Sequence, residues 1–108
     1  MATAKYHREV NHEEKMIAIA HSEEAKKIYL KHLLQQDKTA LSDKGIIKSY
    51  EIDNDSLDYN PMGGLMVTLI INNDKNLTID FDLIDNGDGT YHSAYFVISP
   101  ALAEKLGY

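Results

Sequence analysis

Leu77-Thr78-Ile79-Asp80-Phe81-Asp82-Leu83 alternates apolar and polar residues without a break. A period of two is the pattern of a β-strand whose two faces meet different surroundings. It sets Leu77, Ile79, Phe81 and Leu83 on a covered face and Thr78, Asp80 and Asp82 on a wet one. One dry face and one wet face is the habit of an antiparallel sheet packed on one side.

Turn signals flank this strand on both sides. Asn72-Asn73-Asp74-Lys75 precedes it, and Asp85-Asn86-Gly87-Asp88-Gly89 follows it. Asn and Gly supply the positive-φ positions that hairpins need. The neighbouring strands are then Leu65 to Ile71, apolar on both faces and so central, and Tyr91 to Ile98. A first strand is expected over Ile46 to Ile52, joined to the second by a long loop over 53–64 that holds Asp58, Tyr59 and the Gly63-Gly64 pair. Such a strand at a sheet edge is open to pairing with another chain.

The N-terminal third reads as helix. Asn11 is the expected N-cap, and Met16, Ile17, Ala20, Ala25, Ile28, Tyr29 and Leu33 recur at helical spacing. Ser22-Glu23-Glu24 repeats an N-cap signal, so a kink or break is expected near His21–Ser22. At the other end Ser99-Pro100 opens a short helix and Gly107 closes it. The order is a long, kinked helix, a four-stranded antiparallel meander and a short C-terminal helix. This is an α+β two-layer domain, cystatin-like in element order, over residues 11–108 behind a flexible N-terminal arm at 1–10.

Composition excludes several functions. The chain has 108 residues and no cysteine, so it has neither a disulfide framework nor a thiol nucleophile. Its net charge is -6 and is unevenly placed: residues 1–45 carry eight Lys or Arg against seven Asp or Glu, residues 46–108 three against ten. An acidic sheet half argues against nucleic acid as a partner, since phosphate neutralisation needs clustered Lys and Arg. The apolar run Met16 to Ala20 is far short of a membrane span, which takes roughly 18 residues.

No catalytic constellation is present. There is no P-loop, no G-x-G-x-x-G and no G-x-S-x-G, and His7, His12, His21, His32 and His92 do not form a metal-binding pair at helical spacing. Asp80, Asp82, Asp85 and Asp88 gather around one hairpin, but an EF-hand alignment puts Ile84 where the first carboxylate ligand belongs. These residues read as a turn with wet aspartates; no catalytic residue, metal or cofactor is expected. The surface that stands out is the wet sheet face. Asp80 and Asp82 lie there, and strict alternation along the last strand adds Tyr91 and Tyr95, with Phe96 and Ile98 on the opposite side. Tyrosines beside aspartates suit protein recognition.

A resemblance follows from Asn60-Pro61-Met62-Gly63-Gly64, the strand behind it and Ile71-Asn72-Asn73-Asp74, together with Ser22-Glu23-Glu24-Ala25-Lys26-Lys27 and Ile47-Lys48-Ser49-Tyr50. Over roughly residues 12–98 the chain resembles a small family of Gram-positive bacterial proteins, a domain of unknown function often carried behind a short N-terminal membrane anchor. The resemblance implies an extracytoplasmic domain that binds rather than catalyses, with membrane attachment only through an anchor this sequence lacks. The expected function is a non-enzymatic binding domain. It engages a protein partner through the sheet face (Asp80, Asp82, Tyr91, Tyr95) or the 53–64 loop (Asp58, Tyr59). The rival readings are an inhibitor or immunity-type protein that blocks a basic site, and a small cation-dependent enzyme.

Overall fold

Ser22 divides the helical third in two, as its N-cap signal implies. The computed structural model describes residues 14–61 and 63–108, with the Tyr95 side chain outside that description. The arm expected at 1–10 and the Asn11 cap lie outside the described residues. Helix α1 runs through 14–20 and α2 spans Glu23–Gln36. Ser22 sits between them with extended backbone, its hydroxyl accepting from the Ala25 N–H and donating to the Ile19 carbonyl. Helix α2 buries Ala25, Tyr29 and Leu33, one stripe at spacings of four. The Tyr29 hydroxyl donates to the Ala20 carbonyl at 2.8 Å, tying the end of α1 to the middle of α2.

After α2 the chain departs from expectation. The first strand, β1, covers only Tyr50–Ile52, not Ile46 to Ile52. Its partner strand ends at Ile71, so residues 46–49 have no ladder to join. Side chains accept from the N–H groups of 47–49 instead. The Asp37 carboxylate accepts from the Ile47 N–H at 3.0 Å, and Asn72 Oδ1 accepts from the N–H groups of Lys48 and Ser49. The Ile47 N–H, followed by the Thr39 N–H and hydroxyl, holds the Asp37 carboxyl below its ordinary pKa.

The 53–64 stretch, expected as loop, carries structure. Asp53 caps a 3₁₀ turn at Asn54–Ser56, and a two-residue strand, β2, follows at Asp58–Tyr59. Strands β1 and β2 pair with the same edge of β3 (Leu65–Ile71), one after the other. β3 is therefore central, as its two apolar faces imply. The turn at Asn72 and Asn73 has φ of 55° and 58°, the left-handed pair of a tight hairpin. It leads into β4 (Asp74–Asp85), longer at both ends than the alternating stretch, and then β5 (Tyr91–Ile98). The sheet order is β1-β3-β4-β5, all antiparallel, with β2 beside β1 on β3.

Leu77, Ile79, Phe81 and Leu83 are buried under the helices, as the alternation requires. The Tyr29 ring lies 5.6 Å from Phe81 and 6.1 Å from Tyr50, and His32 lies 5.0 Å from Phe81, so α2 crosses the inner face. Helix α3 (Pro100–Leu106) closes the chain between Ser99 at the N-cap and Gly107 in the left-handed region, and buries Leu102. The cystatin-like element order fits in part: helix precedes sheet, and the kink or break expected near His21–Ser22 is a break, which leaves α1 and α2 in place of one long helix. No helix of the described residues is long and apolar enough to cross a membrane.

Candidate binding groove at one end of the sheet

A β-bulge decides where the expected site residues lie. Between β4 and β5 the register runs Phe81↔Phe96 and then Leu83↔Ser93, so two β5 residues, Ala94 and Tyr95, stand opposite Asp82 alone. One extra residue exchanges the two faces of everything beyond it. Tyr91, opposite Asp85, therefore shares the helix-facing side with Leu83 and Phe96, not the wet face with Asp80. This corrects the face assigned to Tyr91 by strict alternation.

The other expected residues separate in the same way. Asp80 stays on the outer face, half-buried, and accepts from the Thr68 hydroxyl at 2.7 Å. Asp82 has outer-face parity but is not wet: it is only 3% exposed. Asn60 donates to its Oδ2 at 3.2 Å, and Gly64 packs against its Oδ1, which has no hydrogen-bond partner among the described residues. Asn60 and Gly64 thus lie over the strand. Asp58 is exposed on β2, where its carboxylate accepts from the Tyr59 N–H. Tyr95 contributes its backbone to the bulge.

Tyr59 and Tyr91, far apart in sequence, come together. They line a groove of about 170 Å³ with Ile19, Gly64, Leu65, Leu83 and Asp85. Ile19 of helix α1 supplies one wall, Tyr59 and Gly64 another, and the β4–β5 hairpin the third. Its floor is the buried Leu65 and Leu83, Tyr59 and Tyr91 lie nearer the surface, and among the described residues Asp85 is its one charged lining residue. Gly64 lets the backbone pass this close to β4: φ is +98°, and a Cβ there would lie 2.4 Å from Asp82 Oδ1 and 2.9 Å from the Leu83 carbonyl. Sequence reading missed Ile19, Leu65, Leu83 and Asp85 as site residues. The first three carry only an apolar signal, and Asp85 reads as part of a turn.

The acidic hairpin is built as a turn. Asp85 accepts from the Gly87 N–H, and Asp88 from the N–H and hydroxyl of Thr90, which hold the Asp88 carboxyl below its usual pKa. Among the described residues no three His, Asp or Glu side chains converge as metal ligands would.

A second polar contact lies under the bulge. His32 Nε2 is 2.8 Å from the Ser93 hydroxyl, and the ring lies tilted against Phe96 with centroids 4.7 Å apart. Among the described residues nothing hydrogen-bonds its buried Nδ1, and none supplies a carboxylate to orient the ring as a nucleophilic triad does. Burial, and next the neighbouring Lys31, lower the His32 pKa. The folded state therefore resists a proton that the unfolded chain accepts at about pH 6.5. The stability this residue contributes is complete above that pH and declines as pH falls toward the lower folded value. Urea unfolding at pH 7.5 and 5.5, about one unit on each side of the free histidine value, is expected to show the decline, and His32→Gln to flatten it.

The match to known proteins can now be set beside this geometry. The family model described as "Protein of unknown function (DUF1310)" matches residues 1–105. The chain belongs to the DUF1310 family. The match reaches beyond the 12–98 stretch that carries the resemblance, at both ends. It spans every element that builds the groove, so α1, the 59–64 segment and the β4–β5 hairpin are all parts of the DUF1310 domain. No curated protein and no solved structure matches the chain.

Proposed function

We propose that this DUF1310 protein is a non-enzymatic binding domain that engages a protein partner through the groove. The observation that carries the reading is the convergence of Tyr59 and Tyr91 over an apolar floor beside Asp85. Tyrosine offers large contact area at low entropic cost, and its ring face favours cations. A basic side chain with a long aliphatic stem fits such a lining: stem on the floor, charge toward Asp85. The surplus of acid in residues 46–108 favours a basic partner. An extracytoplasmic setting in the cell envelope accords with the resemblance to anchored proteins.

The acidic sheet half supports one variant of this reading, in which the domain inhibits its partner by covering a basic site. Both versions are tested by immobilising the protein and measuring what it retains from an extract of its native host. The expected outcome is one stoichiometric partner whose binding weakens steeply with salt. Tyr59→Ala with Tyr91→Ala is expected to weaken that binding by about 2 kcal/mol or more, the size of an aromatic anchor. Asp80→Asn, on the outer face, is expected to leave it unchanged. Equal retention by the double variant would remove the groove from the account.

A further inference from the structure

The two edges of the sheet are treated differently. On one edge β1 has three residues and β2 two, with the 3₁₀ turn Asn54–Ser56 between them and Glu51 and Asp58 in the strands. Short, interrupted and charged segments are how proteins keep an edge from pairing. The other edge is β5, eight residues with no Lys, Arg, Asp, Glu or Pro.

The hydrogen bonds fix which backbone groups of β5 face outward. The Ser99 N–H donates to the Thr78 carbonyl, and the Asn86 N–H to the Thr90 carbonyl. Bonded and non-bonded pairs alternate along an antiparallel ladder. With the observed register, His92 and Val97 face β4, while the N–H and C=O groups of Tyr91, Ser93, Phe96 and Ile98 face away from it. Among the described residues nothing bonds to these outward groups.

The bulge makes this set symmetric. Tyr91 and Ile98 are equidistant from the midpoint between Ala94 and Tyr95, and so are Ser93 and Phe96. We propose that β5 pairs antiparallel with β5 of a second copy about a two-fold axis at Ala94–Tyr95, joining two sheets into one. In that register Tyr91 faces Ile98 and Ser93 faces Phe96 of the other copy, and each outward N–H meets an outward C=O. Helix-facing residues meet helix-facing residues, and outer-face Val97 meets outer-face His92. An isologous pairing needs such self-complementarity. Charge selects the same occupant: each chain carries a net charge of -6, and β5 is a strip with no charged Asp, Glu, Lys or Arg where two such chains can meet. The pairing also covers Phe96 and Val97, which stand 38% and 53% exposed.

Sedimentation equilibrium of the full chain from about 10 µM to 1 mM, with amide exchange measured at both ends of that range, tests the proposal. A monomer–dimer equilibrium is expected, with exchange at Tyr91, Ser93, Phe96 and Ile98 slowing as dimer forms. Ala94 is exposed beside the proposed axis, so Ala94→Glu and Ala94→Lys should each raise the dimer Kd about tenfold by facing like charges, and an equimolar mixture should restore association. A monomer at every concentration would overturn the pairing. So would a dimer that ignores both Ala94 variants, or one whose four amides exchange as freely as in the monomer.

Discussion

Gly64→Ala is expected to destabilise the domain by about 2–5 kcal/mol and to abolish the groove, and two independent costs set that range. The backbone φ of +98° is one an L-residue adopts only under strain. The added methyl would also lie 2.4 Å from Asp82 Oδ1, 2.7 Å from Ile84 Cδ1 and 2.9 Å from the Leu83 carbonyl. The last of these is backbone in the middle of the sheet and cannot yield. Asp82 has little freedom either, since it is buried beneath Asn60 and Gly64. Asn60 and Gly64 must lift from the strand, uncovering the carboxylate and carrying Tyr59 away from Tyr91. Gly63→Ala is the comparison: φ there is +104°, but no heavy atom lies within 4 Å of the added methyl. That variant keeps the strain and lacks the clash, so it should cost only about 1 kcal/mol. Urea midpoints of the two variants check the difference.

Tyr29→Ala is expected to cost about 3–5 kcal/mol, a large share of the 5–15 that holds a typical domain folded. The side chain is fully buried between Phe81 on the sheet and Tyr50 on the edge strand. Its loss would leave a cavity at the contact between the layers. The Ala20 carbonyl would lose its phenol donor as well, loosening α1 from α2. Tyr29→Phe keeps the ring and removes that bond, at about 1 kcal/mol. Desolvation by burial, and then the charge of Tyr50, push the Tyr29 phenol far above its ordinary pKa, so it remains a donor through the alkaline range. Thermal unfolding of the two variants separates packing from hydrogen bonding.

The parts of the fold governed by local chemistry were legible in the sequence. Alternation along Leu77–Leu83 placed the core face, Asn72-Asn73 marked a tight turn that has the expected positive φ, and Ser99-Pro100 and Gly107 bounded α3. Ser22 gave the break between α1 and α2 because its side chain caps a helix wherever one starts. Features that depend on distant contacts were not legible. Residues 46–49 have the composition of a strand, yet Asp37 and Asn72 take their N–H groups. The β5 bulge has no residue signature, since Ala94 and Tyr95 are ordinary strand residues, yet it moved Tyr91 to the other face. Asp82 looked wet because the alternation says nothing of Asn60 and Gly64, which return over the strand from earlier in the chain.

The candidate site repeats that division. Tyr59 and Tyr91 were recognised as residue types suited to recognition, but on two alternative surfaces, a loop and a sheet face. The fold makes them one groove, because β2 pairs Tyr59 with Leu65 and the bulge brings Tyr91 to the side of Leu83. Two expectations about binding surfaces thus become a single one, with Asp80 and Asp82 outside it.

That groove is the central claim, and tyrosine footprinting of the protein, free and bound to its retained partner, tests it most directly. Modification rates at Tyr59 and Tyr91 should fall together in the complex. Tyr108, 75% exposed at the far end of the chain, should react at the same rate in both states. Unchanged rates at Tyr59 and Tyr91 in a saturated complex would contradict the account and place the binding surface elsewhere on the domain.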